Sequence, residues 1–191
     1  MNWRADRPLH VLVVCTANQC RSPMGERLLA RHLLTAGIDA RVGSAGFLSG
    51  GVAAADGAVA ALDRLGLDLS DHRSRRIDPT LLDLADVTIT MEGAHVVDIV
   101  TTWTGHGTRA VTLHAAVEGL GRLAPGTPRG PDVIRAWAEQ VHDAAGGSVF
   151  DRRHDVPDPM GRSRRAFRSS AADLDARLGL LVTGWTGNAT G

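Results

Sequence analysis

The stretch Leu9-His10-Val11-Leu12-Val13-Val14-Cys15-Thr16-Ala17-Asn18-Gln19-Cys20-Arg21-Ser22-Pro23-Met24 decides the fold. It begins as a short β-branched run of the kind that fills a strand buried on both faces, and the run stops at Cys15. Thr16 to Arg21 is small and polar, and Ser22-Pro23 reads as a helix N-cap followed by proline at the first helical position. A helix should follow, with Met24, Leu28 and Leu29 on one face and Gly37 ending it. The order is therefore strand, tight loop, helix N-terminus.

Outward from this stretch the alternation repeats. Ala40 to Ser44 reads as a second strand, Ala54 to Leu65 as a helix closed by Gly66, Asp78-Pro79 as the start of a short helix, and Asp86 to Met91 as a third strand. A helix from about Ala94 to Val100 and a strand near Arg109 to Thr112 complete the series. The expected fold is α/β, a three-layer sandwich with a central four-stranded parallel sheet and helices on both faces. Ligands bind outside the carboxyl ends of such strands, and Cys15 stands at one of those ends. From Ala115 to Phe150 the rhythm loosens around a loop from Ala124 to Pro131, with Val133, Ile134, Trp137 and Val141 marking one amphipathic helix. Residues 115–150 are read as an insertion within a single domain of residues 1–191. Phe167, Ala171, Leu174, Leu178, Leu181 and Trp185 recur at spacings of four and three, the stripe of a final helix that must lie on the sheet. Residues 186–191 read as a flexible tail.

Composition narrows the class. The 191 residues carry 21 Lys+Arg, all of them arginine, against 21 Asp+Glu, with 43% hydrophobic residues, two cysteines and no tyrosine. That excludes a disulfide scaffold, a collagenous repeat and a disordered charged tail. Zero net charge gives no global attraction to nucleic acid or to an anionic membrane. The longest apolar stretches, such as Val11 to Cys15 and Leu178 to Val182, are too short to cross a bilayer, and the first residues lack the apolar core of a signal peptide. The expected place is the reducing cytoplasm, where both thiols stay free. The histidines are scattered, the two cysteines have no partner pair at zinc spacing, and there is no lysine with which to build a Gly-Lys-Ser/Thr loop. No metal or organic cofactor is expected.

A short loop wrapping into a helix N-terminus turns its backbone N–H groups inward, and the helix dipole adds positive charge at the same point. Arg21 adds a planar fork of donors for two oxygens of one anion. A tetrahedral oxyanion fits this cradle, and the same field stabilises the Cys15 thiolate over its thiol, which points to nucleophilic attack on phosphorus. Taken singly, Cys15 reads first as a buried strand-end residue and Arg21 as a solvated surface cation.

The stretch from Val11 to Met24 resembles the phosphate-binding loop of the low-molecular-weight protein tyrosine phosphatases. The likeness extends to Ser44-Ala45-Gly46, to Asp71-His72-Arg73-Ser74-Arg75, to Ala85 to Met91 and to Val156-Pro157-Asp158-Pro159. The resemblance implies that Cys15 is the nucleophile of a cysteinyl-phosphate intermediate, and that Arg21 binds the phosphoryl oxygens together with the loop Thr16, Ala17, Asn18, Gln19 and Cys20. It makes Asp158 the general acid and Ser22 the hydroxyl that eases departure of the thiolate. Asn18, Ser44 and His72 become the buried polar set that shapes the loop, and Cys20 a redox partner of Cys15. Asp151 and Asp155 read as solvated loop charges. The implied substrate is a phosphotyrosyl protein or a related phosphomonoester, with inorganic phosphate or vanadate as active-site ligand.

Three positions depart from the family pattern. Gln19 stands where an apolar or small hydroxyl residue is usual and opens a phosphoarginine alternative, while Phe47 and Met160 at the pocket rim replace a usual Thr and a usual aromatic. An arsenate reductase of the same fold, using an external thiol, is the rival reading. Arg162, Arg164, Arg165 and Arg168 gather just after the acid loop, where cations oppose the helix dipole; they read either as a solvated face or as an attractor of anionic substrate.

Overall fold

The computed structural model describes residues 7–123, 130–145 and 151–187. Strand β1 (Leu9–Cys15) lies at the centre of a four-stranded parallel sheet, between β2 (Ala40–Gly46) and β3 (Val87–Thr90), with β4 (Ala110–Thr112) beyond β3. The strand order β2-β1-β3-β4 reverses direction at β1, so the crevice outside its carboxyl end is the topological switch point where ligands settle in open α/β sheets. The expected sandwich is the one observed.

Side-chain alternation on β1 divides the interior into two cores. Val11 and Val13 face one, where Met24, Leu28 and Leu29 of α1 (Arg21–Thr35) meet Leu174, Leu178 and Leu181 of α7 (Arg164–Thr186). Leu12 and Val14 face the other, with Ile77, Leu82 of α3 (Pro79–Leu84), and Val96 and Ile99 of α4 (Gly93–Thr102). A strand covered on both sides has no solvated face to mark with polar residues, which is why β1 reads as an unbroken apolar run. Helix α2 (Asp56–Asp63) packs beside α7 and adds Ala58, Ala61 and Leu62 to the larger core.

Residues 113–145 join that core as well. Helix α5 (Leu113–Glu118), a 3-10 turn (Gly119–Arg122) and α6 (Pro131–Ala145) follow β4, and Ile134, Trp137, Ala138 and Val141 are buried. Trp137 packs its edge on Trp185, with ring centroids 5.8 Å apart, and donates from Nε1 to the Gly119 carbonyl at 2.9 Å. The region expected to loosen thus covers the β4 end of the sheet. Most of the expected loop, residues 124–129, lies outside the described residues, as do 188–191 of the expected tail; α7 runs to Thr186.

Two boundaries differ from expectation. Ser22-Pro23 does not open α1, because the helix begins at Arg21 with Cys20 as its cap residue, and the Cys20 carbonyl already accepts from Met24 N–H at 3.1 Å. The Ser22 hydroxyl is thereby freed for the loop. Helix α2 is also shorter than the expected 54–65. No helix among the described residues is long and apolar enough to cross a membrane.

Candidate active site

The loop after β1 closes over the carboxyl end of the sheet. Its Thr16 carbonyl turns outward and accepts from Phe47 N–H at 2.8 Å, whereas no backbone N–H from Thr16 to Arg21 donates to an acceptor among the described residues. Backbone donors left over at a helix N-terminus form an anion-binding concavity. Where the loop crosses β2, Gly46 leaves room: a Cβ there would lie 2.7 Å from Asn18 N and 2.8 Å from Thr16 O.

Asn18 locks the loop. It is fully buried with φ of 54°, a left-handed conformation that Asn tolerates better than most side chains. Its side-chain amide donates to Ser22 Oγ at 2.9 Å and to Ser44 Oγ at 2.8 Å, its Oδ1 accepts from Arg75 N–H at 2.9 Å, and its carbonyl accepts from His72 Nε2 at 2.8 Å. Ser44 Oγ in turn donates to Glu26 at 2.6 Å. Asn18, Ser22, Ser44 and His72 are thus brought together in one buried network.

Cys15 Sγ lies 3.0 Å from Ser22 Oγ, and both residues are buried. Arg21 is 2% exposed, which removes the solvated-cation alternative. Its guanidinium donates to Glu92, to the Val156 carbonyl at 2.9 Å and to Asp158 Oδ2 at 3.0 Å. Its Nε is buried with no acceptor among the described residues, a donor held ready for an anion. Asp158 is 48% exposed and also accepts from Met160 N–H. Cys20 is buried, and burial, reinforced by the nearby Asp158 and Cys15 charges, pushes its thiol up to about 12.

Several participants gave no sequence signal of their own. Glu92 braces Arg21, and Arg75 reaches back to the Ser44 carbonyl at 2.7 Å. His95 places Nε2 3.1 Å from Thr16 Oγ1 and stacks on Phe47 at 5.4 Å, and Phe47 stacks on Trp103 at 6.3 Å. Burial lowers the His95 pKa below the usual histidine value despite the pull of Glu92. Asp155 is not a solvated charge: it accepts from Gly93 N–H at 2.9 Å at the start of α4. Asp151 caps a 3-10 turn through Arg153. Gln19 is half-buried with its carbonyl accepting from Ala55 N–H, and Met160 is exposed.

A family model described as low molecular weight phosphotyrosine protein phosphatase matches residues 10–120, a stretch that runs from β1 through the loop to α5. The chain belongs to that family. It is 38% identical to the low molecular weight protein-tyrosine-phosphatase Wzb of Salmonella typhimurium, over 83% of this chain and 82% of that one. It is 37% identical to the probable low molecular weight protein-tyrosine-phosphatase EpsP of Ralstonia nicotianae, over 47% of this chain and 59% of that one. The chain therefore spans less than two thirds of the length of EpsP. The solved YwlE arginine phosphatase from Geobacillus stearothermophilus superposes with a TM-score of 0.68 at 26% identity, covering 92% of this chain and 91% of that one.

Proposed function

We propose that the protein is a cysteine-dependent phosphatase acting on phosphotyrosine in proteins or on a related phosphomonoester. The observation that carries this reading is the thiol of Cys15 at the start of a loop whose backbone N–H groups, like the buried Arg21 Nε, have no acceptor among the described residues. A dianionic phosphoryl group satisfies those donors together. It also takes the Arg21 donor now held by Asp158, which releases the carboxyl toward the leaving group.

In the first step the Cys15 thiolate attacks phosphorus and an S–P bond forms. The P–O bond to the leaving group breaks, and Asp158 supplies the proton that the departing oxygen needs. In the second, water attacks the phosphocysteine, Asp158 takes its proton, and the S–P bond breaks to return the thiolate. Ser22 Oγ, 3.0 Å from Sγ, stabilises that thiolate. Loop N–H groups and Arg21 hold the equatorial oxygens throughout.

A phosphoarginine substrate is the second reading, favoured by the polar Gln19 in the loop and by kinship with the YwlE arginine phosphatase. A metal-free aryl phosphate assay tests the chemistry. Cys15→Ser is expected to abolish turnover, vanadate to inhibit the wild type, and Asp158→Ala to lower kcat by about 10²- to 10⁴-fold with vanadate affinity retained. Turnover that survives Cys15→Ser overturns the proposal, and thiol-dependent arsenate reduction in its place assigns the arsenate reductase activity. Phosphotyrosyl and phosphoarginyl peptides compared side by side then separate the two substrates.

A further inference from the structure

The first turn of α4 meets the cradle loop at both of its ends. Glu92, the cap residue of that helix, braces Arg21, and His95 places Nε2 3.1 Å from the Thr16 hydroxyl. The same turn is tied to the acid loop, since Asp155, three residues before Asp158, accepts from Gly93 N–H at 2.9 Å. His95 is buried, and its ring is kept in place by the stack on Phe47.

The contact between His95 and Thr16 has a direction. His95 Nδ1 is buried with no partner among the described residues. Orphaned buried N–H groups are rarer in proteins than under-satisfied acceptors, so the ring proton belongs on Nε2, which donates to Thr16 Oγ1. Thr16 is gripped from a second side as well, because its carbonyl accepts from Phe47 N–H at 2.8 Å and from Leu48 N–H at 3.3 Å. Phe47 therefore serves both grips, with its N–H on the carbonyl and its ring against His95.

This matters for the cradle because the peptide that follows Thr16 is trans. In a trans peptide the N–H points opposite to the C=O, so a Thr16 carbonyl pinned outward turns the Ala17 N–H inward. We propose that His95 is a positioning residue: it holds Thr16, the residue after the nucleophile, so that the next peptide presents its N–H to the phosphoryl group. Buried as it is, His95 acts through Thr16. The proposal rests on the phosphatase reading and on the cradle as the place of phosphoryl transfer.

The test compares wild type, His95→Ala, His95→Gln, Thr16→Val and the double variant His95→Ala/Thr16→Val in aryl phosphate hydrolysis and in vanadate binding, with the folded fraction measured for each. His95→Ala is expected to lower kcat/KM and vanadate affinity together by roughly tenfold, the scale of one hydrogen bond. His95→Gln, whose amide can donate in place of Nε2–H, should recover most of both. Thr16→Val, a change at an exposed position, should lose as much as His95→Ala, and the double variant no more than either, since the pair acts as one unit. Unchanged vanadate affinity in His95→Ala, with kcat reduced only in proportion to the folded fraction, overturns the proposal. So do additive losses in the double variant, or a glutamine variant no better than the alanine one. Absence of Cys15-dependent turnover in the wild type overturns the phosphatase reading instead, and vanadate binding still decides the role of His95.

Discussion

Asn18 sits in a conformation that costs of order 1–3 kcal/mol for a residue with a side chain, and four hydrogen bonds hold it there. No pattern in the sequence marks that strain, because it arises only when Ser44, His72 and Arg75 arrive from distant segments. Cys15, Arg21 and Ser22 were legible, since they share one short loop whose chemistry is local. Glu92 and His95 were not, since only the fold brings the first turn of α4 to the loop. At this scale Cys20 makes a prediction. Oxidation of Cys15 to a sulfenic acid, followed by attack of the Cys20 thiol, forms a disulfide and releases water. The high pKa of Cys20 keeps it a thiol until then. After a brief peroxide pulse, dithiothreitol should restore wild-type activity and restore much less in Cys20→Ser, which lacks that shelter from over-oxidation. Equal recovery would remove the redox role.

Among the elements, β1 and α7 are legible in the sequence nearly as they stand, because a doubly buried strand and a long periodic helix leave strong patterns. Helix α1 starts two residues before Pro23, the first helical position that the sequence suggests. Ser22-Pro23 has the composition of a cap, yet its hydroxyl is drawn to Cys15 and Asn18, and Cys20 takes the cap position instead. Residues 113–145 were harder still, since a six-residue helix and a 3-10 turn are too short to show a period. The contact between β2 and the loop carries its own prediction. In Gly46→Ala the new Cβ has nowhere to go except into the loop backbone, so stability should fall by about 1–3 kcal/mol in urea denaturation, with weaker vanadate binding. A variant that binds vanadate as the wild type does would show that the loop does not lean on this crossing.

For the molecule as a whole, Asp86 ties three parts together. It is fully buried before β3, receives two 2.8 Å hydrogen bonds from Arg7 and others from Arg135 of α6 and His10 N–H of β1. Burial pulls the carboxyl upward, but the two arginines and the backbone donor outweigh it and hold its pKa below the usual value. A carboxyl lowered in the folded state contributes stability that is complete above its unfolded pKa of about 3.9 and is lost as pH falls below it. Asp86→Asn should therefore have a lower Tm at pH 7, and the gap to the wild type should narrow below about pH 4. A gap unchanged between pH 7 and pH 3 would rule out this linkage.

The cradle is assembled from residues 15–22, 44–46, 72–75, 92–95 and 156–158, and α7, which follows the last of these, packs along α1. During synthesis the first strand and its loop leave the ribosome long before Val156 and Asp158, so the early chain carries Cys15 and Arg21 without the groups that close around them. A chain that stops short of Val156 would therefore hold Cys15 beside Ser22 while leaving Arg21 without the Val156 carbonyl and the Asp158 carboxylate that orient its guanidinium.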